Sequence, residues 1–358
     1  MSVRWGSVAL ILIAVTATAA RSDSPPAPAP GAAEAAPAAS SGFTALALPG
    51  APPEGVVLDY LAVDRARHRV WVPAGGTGSA DVIDTKTQEL RRVEGFPTTE
   101  MERRGKKRMV GPSSATVGDG VVYVGNRGDS SVCAVDATTL ARGGCVTIPS
   151  MPDGLAFVAH AKEVWVTTPR DQSIVILDVS TPATPKLAGS LKLEGDPEGY
   201  AVDDRRGLFY TNLEDKDRTL RIDIATRQVT AAWMPDCGEE GPKGLAIEPK
   251  GEWLMVACTD HVEVLAAATD GHIVSKLDTG LGVDNFDYLA GQRSIHLAAA
   301  GAATLTVARL DKKGALQRIA TTATAQGARN AVATEDGTAY IADGPEGRIL
   351  IVPPARGE

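Results

Sequence analysis

Polar and charged side chains recur in this chain at nearly even spacing: Asp59, Ser113, Asp153, Glu198, Lys243, Asp287 and Arg329, with intervals of 54, 40, 45, 45, 44 and 42 residues. Brought to one place, they would form a ring dominated by carboxylates. Asn126, Asn212 and Asp343 follow at the ends of later apolar stretches and would join it. Carboxylate and amide oxygens suit a hard divalent cation such as calcium, which takes six to eight oxygen ligands. The candidate set for such an ion is Asp59, Asp153, Glu198, Asn212 and Asp287. A bound cation could polarise a carbonyl or activate water. The competing reading needs no ion: the acids pair with Lys243 and Arg329, finish turns and keep a solvated channel polar, because buried charges are rarely left unpaired. No cofactor is firmly implied, and calcium or another divalent cation is the one candidate.

The elements that would bring these residues together are repeats. DYLAVD from Asp59, SSATVG from Ser113, DGLAFV from Asp153, EGYAVD from Glu198, KGLAIE from Lys243, DYLAGQ from Asp287 and RNAVAT from Arg329 each begin a short apolar stretch followed by a turn and a β-rich hairpin. A period of roughly 40–45 residues with four strands per unit is the mark of a propeller, since one small twisted sheet cannot bury both faces until neighbours stack on it around an axis. The fold class is therefore all-β, a seven-bladed β-propeller. The third unit reads most plainly, with strands over 155–159, 163–168, 173–179 and 188–193. The last unit runs out of chain before its outer strand, and an N-terminal strand over 43–48 is expected to close that blade and cover its edge. Second strands then place the ends of their hairpins on the same face as the polar ring. Trp71, Trp165, Trp253, Tyr123 and Phe209 fall on second strands and read as packing between blades.

Several of these second strands carry a family pattern: YVGN over 123–126, WVTT over 165–168, FYTN over 209–212 and YIAD over 340–343. The strands that follow, SVCAVD, SIVILD and TLRIDI, continue it. The chain resembles bacterial YVTN-type repeat propellers over residues 43–353. That resemblance implies a seven-bladed ring in an exported protein, in a family ranging from binding proteins to enzymes. LMVACTD from Leu254 and HLAAAG from His296 depart from the pattern, so the fifth and sixth units rest on spacing.

Residues 1–20 read as a signal peptide, with Arg4 ahead of an apolar run over 6–15 and Ala17-Thr18-Ala19 as a small-residue cleavage pattern. That run is too short to span a bilayer comfortably, so stable membrane insertion is not expected. Residues 21–41, rich in Ala, Pro and Ser, read as a disordered spacer, and residues 42–358 as one propeller domain. The destination is the periplasm or the cell exterior. Four cysteines in an exported chain invite disulfides. Strand placement favours Cys133 with Cys145, on adjacent strands joined through 142–144, and Cys237 with Cys258, which a propeller brings to one face. The longest interval holds an insertion over 96–111 with Arg103, Arg104, Lys106, Lys107 and Arg108 nearly consecutive. It reads as a long loop on the converging face that could attract an anionic ligand or an acidic partner, or whose charges pair with its own glutamates.

Other chemistries find no support. His68, His160, His261, His272 and His296 are scattered, without zinc or haem-attachment spacing, although His261 could face the mouth. There is no nucleophile elbow and no glycine loop ahead of a helix. A formal net charge of −8 argues against nucleic acid and anionic membranes as partners. Two functional classes remain. One is an exported, non-catalytic scaffold, expected as a monomer, that binds a protein, peptide or glycan through its loop-bearing face. The other is a divalent-metal-assisted hydrolase resembling propeller lactonases, built on the ring acids.

Overall fold

A computed structural model describes residues 1–2, 42–103 and 105–355. The signal peptide and spacer read over 1–20 and 21–41 thus lie, apart from Met1 and Ser2, outside the described residues. Among the described residues the chain is a seven-bladed β-propeller of seven four-stranded antiparallel sheets. Blades 1 to 6 occupy residues 62–94, 112–147, 155–192, 197–233, 245–278 and 283–323 in simple up-and-down order. Blade 7 takes its inner three strands from residues 329–352 and its outer strand from Thr44–Ala47, which pairs antiparallel with Arg348–Val352. No helix among the described residues is long and apolar enough to cross a membrane.

Blade 3 shows why the repeat folds as it does. Its strands are Leu155–Val158, Glu163–Thr168, Ser173–Asp178 and Lys186–Lys192. Central strands are covered on both faces, so they are continuous apolar runs, and the outer strand alternates because one of its faces meets water. Val164, Trp165 and Val166 are fully buried, whereas Lys186–Lys192 is mostly exposed. Blades lock together through aromatic groups on second strands. The Trp165 ring lies 4.8 Å from that of Phe209 in blade 4, and Trp71 packs against Val122, Val124 and Cys133 of blade 2.

The aspartates that end third strands have a local task. Asp84 accepts hydrogen bonds from the Lys86 and Thr87 amides at 2.9 and 3.0 Å, Asp136 from Thr138 and Thr139 at 2.9 and 2.7 Å, and Asp223 from Thr226 at 2.8 Å. These backbone donors hold each carboxyl below its ordinary range. The stabilisation is present above the unfolded carboxylate range and is lost as pH falls through the lowered folded value.

Two local readings change. Residues 142–144 do not turn: Arg142–Thr147 is the outer strand of blade 2, and the turn lies over 137–141. Cys145 therefore sits directly opposite Cys133 in register, with a Cα–Cα distance of 4.0 Å, and both expected disulfides form. The insertion over 96–111 is not a loop but an antiparallel ribbon of Thr99–Arg103 and Lys106–Val110 turning at Gly105. Gly105, at φ 73°, supplies the left-handed backbone that the tight turn requires.

Removing residues 42–49 leaves Arg348–Val352 as an open edge and takes away Leu48, which is 3% exposed in the core between blades 7 and 1. The expected outcome is a melting temperature lowered by roughly 10 °C or more, read by circular dichroism. An unchanged melting curve would show that the closing strand contributes nothing.

Candidate functional site

The pairing of inner with second strands sets the geometry of the ring. The Asp153 amide donates to the Thr167 carbonyl at 2.9 Å, and the Lys243 amide to that of Ala257 at 2.7 Å. The start of each inner strand therefore lies beside the end of its neighbour, on one face. Asp59, Ser113 and Asp153 are buried there at 8%, 1% and 8% exposure. Glycine after Asp153 is required by what crosses the channel: a Cβ on Gly154 would fall 2.4 Å from the Tyr200 ring.

A guanidinium group lies among the ring acids. Arg127, the first residue past the second strand of blade 2, donates from Nη2 to Asp59 Oδ2 at 2.8 Å and pairs with Asp153 Oδ1. Its Nε donates to the Pro152 carbonyl at 3.2 Å. Asn330 Nδ2 donates to the second Asp59 oxygen at 3.3 Å, and Arg329 pairs with Asp284 at 2.9 Å. Across the channel, Tyr60 stacks on Tyr200 with ring centroids 5.7 Å apart and donates its hydroxyl to Glu198 Oε1 at 3.3 Å. Beside them is a cavity of about 340 Å³ whose lining includes Tyr60, Tyr200, Asn285 and Asn330.

Other expected ring members are spent on structure. Lys243 pairs with Glu214. Asn212 donates to the Lys243 carbonyl at 2.7 Å and accepts from Thr219 at 2.7 Å. Asn126 ties the strand end to the Pro97 carbonyl at 3.0 Å and to Asp129 at 2.9 Å. Asp343 is held by Arg348 at 2.7 Å. Asp287 is corrected by register. It pairs with His296 within blade 6, which places Asp284, three residues earlier, where Asp153 stands in blade 3. Asp287 instead binds Arg65 at 3.1 Å and the Ala333 amide at 2.9 Å. Of the five expected ligands, Asp59, Asp153 and Glu198 share the mouth, while Asn212 and Asp287 are taken up by other partners. Among the described residues, Cys258, His261 and Glu263 are the Cys, His, Asp or Glu side chains grouped at metal-ligating separation.

Of the basic cluster, Arg104 lies outside the described residues, and Arg103 and Lys106 are placed by their backbone alone. Lys107 pairs with Glu100 at 2.7 Å, and Arg108 is exposed. Arg108 and Met109 of the ribbon, with Arg329, Glu54, Val56 and Pro345, line a cleft of about 310 Å³ between the ribbon and blades 7 and 1. At the ribbon's other strand, Met101 Sδ lies 3.0 Å from Arg170 Nη2 of blade 3.

Arg127, Asp284, Tyr60, Tyr200 and Asn330 are the site residues that the repeat alignment did not single out. A signal existed for the first. The position just past the second strand is Pro169 in blade 3 and Gly344 in blade 7, but charged in two blades, Arg127 and Glu214. Each of those charges reaches an oppositely charged residue that opens an inner strand.

Asp59, Asp153, Asp284 and Glu198 outnumber Arg127 and Arg329, since Lys243 is engaged by Glu214. Burial, with the charges of Asp59 and Asp284, raises the Asp153 carboxyl to about 7 against the opposing pull of Arg127. Burial and the charges of Asp153, Asp284 and Asp59 push Glu198 well above the ordinary carboxylate range. For acids raised in the folded state, the stabilisation is complete below the unfolded range and is lost as pH rises through the folded value.

No family model matches the chain, and no curated protein sequence matches it. Solved structures match its fold. A chain of a mitotic checkpoint complex superposes with a TM-score of 0.69 at 13% identity, covering 90% of this chain and 98% of that one. A chain of Kuenenia stuttgartiensis hydrazine synthase gives 0.68 at 14% identity, covering 84% and 96%. Virginiamycin B lyase from Staphylococcus aureus gives 0.65 at 12% identity, covering 86% and 98%. At these identities the likeness defines the class, a seven-bladed β-propeller, and no activity.

Two outcomes are expected. Arg127→Met leaves Asp59 and Asp153 facing each other, and should cost about 3–5 kcal/mol at neutral pH by chemical denaturation. The loss should shrink in acid as the carboxyls take up protons. Glu198→Gln removes a carboxylate that the folded state disfavours, so it should raise the melting temperature at about pH 8 and leave it unchanged near about pH 4. A variant no more stable than its parent at the higher pH would contradict the charge excess.

Proposed function

We propose that this chain is a non-catalytic binding propeller of the exported YVTN-repeat type, whose loop-bearing face takes up an acidic segment of a protein or peptide partner. One observation carries the reading: the Arg127 guanidinium bridges Asp59 and Asp153, at the point where the ring carboxylates converge. With Asp284 paired to Arg329, three of the ring acids are engaged by guanidinium groups rather than presenting oxygens to a metal ion. What the face offers to solvent includes Lys107 and Arg108 of the ribbon and, beside them, the cleft lined by Arg108 and Arg329 with Glu54, Val56, Met109 and Pro345. Cations above an apolar floor suit carboxylates interspersed with apolar side chains. On a chain of net charge −8, a basic arm also concentrates attraction at one place.

Export is part of the proposal. Two disulfides suit an oxidising compartment, and the leader-like sequence over 1–20 supports the same destination. The repeat motifs support the YVTN assignment, and the propeller is read as one domain over 42–358.

The test is fluorescence anisotropy with labelled peptides that alternate glutamate and apolar residues, at low and at physiological salt. Saturable binding is expected, weakened at least tenfold when Lys107 and Arg108 become Ala, with a smaller loss at high salt in the variant than in the parent. Absence of saturable binding to any acidic peptide, or affinity indifferent to these substitutions, would reject the reading. Calcium-dependent lactone or ester hydrolysis abolished by Glu198→Gln would replace it with the hydrolase.

A further inference from the structure

The blade 5 loop that carries Cys258 holds a second group of chemically capable residues, unused by the binding face described above. Cys258 is fully buried, and its sulfur lies within 4.8 Å of ligand atoms on both His261 and Glu263. Cys237, its disulfide partner, approaches from the loop between blades 4 and 5. Glu263 is 0% exposed. Its Oε1 meets Lys276 Nζ at 2.6 Å and His261 Nε2 at 3.2 Å, while its Oε2 has no hydrogen-bond partner among the described residues. A carboxylate oxygen taken out of water without a partner is costly, and such an atom asks for an explanation.

We propose that Cys237, Cys258, His261 and Glu263 form a zinc site that opens when the Cys237–Cys258 disulfide is reduced. Two thiolates, an imidazole and a carboxylate make a four-coordinate set of the kind zinc accepts, with Zn–S near about 2.3 Å and Zn–N and Zn–O near about 2.0–2.2 Å. In the disulfide the sulfurs carry no thiolate charge, so the oxidised chain offers only the imidazole and the carboxylate. The ligands are positioned by bonds that do not depend on the disulfide. The Cys258 amide donates to the His261 carbonyl at 2.8 Å, which holds the turn. The Cys237 amide donates to Asp217 Oδ1 at 3.1 Å, which holds the opposing loop. His261 Nδ1 lies 2.5 Å from Asp260 Oδ1. This is the outer carboxylate that commonly orients a metal-binding imidazole, and it leaves Nε2 for the ion. Lys276 remains on Glu263 Oε1, so Oε2 is the oxygen available to zinc.

The redox step uses a dithiol as reductant. One of its thiolates attacks the disulfide to give a mixed disulfide, and its second thiol resolves that bond. The reductant leaves as a disulfide, having given up two electrons, and Cys237 and Cys258 are left as thiols. Zinc then displaces the two thiol protons to solvent.

The experiment uses the full chain, oxidised and then reduced with a phosphine, with zinc sulfate as probe and a chromophoric chelator as competitor. Cobalt(II) serves as a spectroscopic substitute. The oxidised chain should retain no zinc against the chelator, and the reduced chain about one ion. Cobalt should give a thiolate charge-transfer band that disappears in Cys258→Ser and persists in Cys133→Ser. His261→Ala and Glu263→Gln should each weaken zinc binding by roughly tenfold or more. The proposal is overturned by lack of uptake after reduction, by uptake that follows Cys133 rather than Cys258, by indifference to His261→Ala, or by a reduced chain that loses its β-sheet circular dichroism and does not regain it with zinc.

Discussion

Closure of the ring is the constraint on which everything else depends. Each blade is a small twisted sheet with two faces to cover, and it covers them only because another blade stands on either side. That condition is met around the whole circle when Thr44–Ala47 pairs with Arg348–Val352, joining segments some three hundred residues apart in the chain. The pairing is short, and its outward side chains are largely exposed. Its value lies in removing an open edge and in making the seventh interface equivalent to the others. The cost is a loop closure over nearly the full propeller, although such closure entropy grows only slowly with length.

A closed ring creates an electrostatic problem at its axis. Seven inner strands begin at one mouth, and residues that would be harmless on a surface are brought within reach of one another. Asp59, Asp153, Glu198 and Asp284 could not all be ionised there without compensation. Compensation comes from positions just past the second strands, which share that face: Arg127 serves Asp59 and Asp153, and Glu214 serves Lys243 in the opposite sense. The remaining excess is eased by the Tyr60 hydroxyl on Glu198 and by the Asn330 amide on Asp59. The mouth is thus a hydrogen-bonded plug linking all seven blades through side chains.

This division explains what was legible in the residues. The blades could be counted and the closing strand placed, because the repeat period and the burial pattern express a constraint acting on every unit. The Cys133–Cys145 disulfide followed from strand adjacency, and Cys237–Cys258 from the meeting of a loop and a strand end on one face. The site was less legible because it is built from exceptions to the repeat. Arg127 stands where two other blades carry proline and glycine, and an alignment of inner-strand starts passes over it. Asp287 resembles Asp59 in local sequence, DYLA in both cases, yet the register of blade 6 gives the equivalent place to Asp284. A three-residue slip keeps an aspartate in view while moving it from the mouth to the Arg65 side of the channel. The ribbon over 99–110 read as a loop because its charges obscured a two-stranded pairing that its tertiary position stabilises.

The two disulfides show that equal cross-links need not do equal work. They close sequence separations of 12 and 21 residues, and chain-entropy reasoning assigns each about 3 kcal/mol. Cys133–Cys145 joins directly paired residues on adjacent strands of blade 2, where backbone hydrogen bonds already hold the register. It reinforces an arrangement that the sheet enforces. Cys237–Cys258 instead connects two loops at the mouth, between blade 4 and the second strand of blade 5, where no ladder runs between them. Each of the two is held by its own bonds, the Cys258 amide on the His261 carbonyl and the Cys237 amide on Asp217, so the covalent link there sets the distance between them. The same reasoning separates the rigid circle, made by repetition, from the face above it, where individual residues determine what the ring can hold.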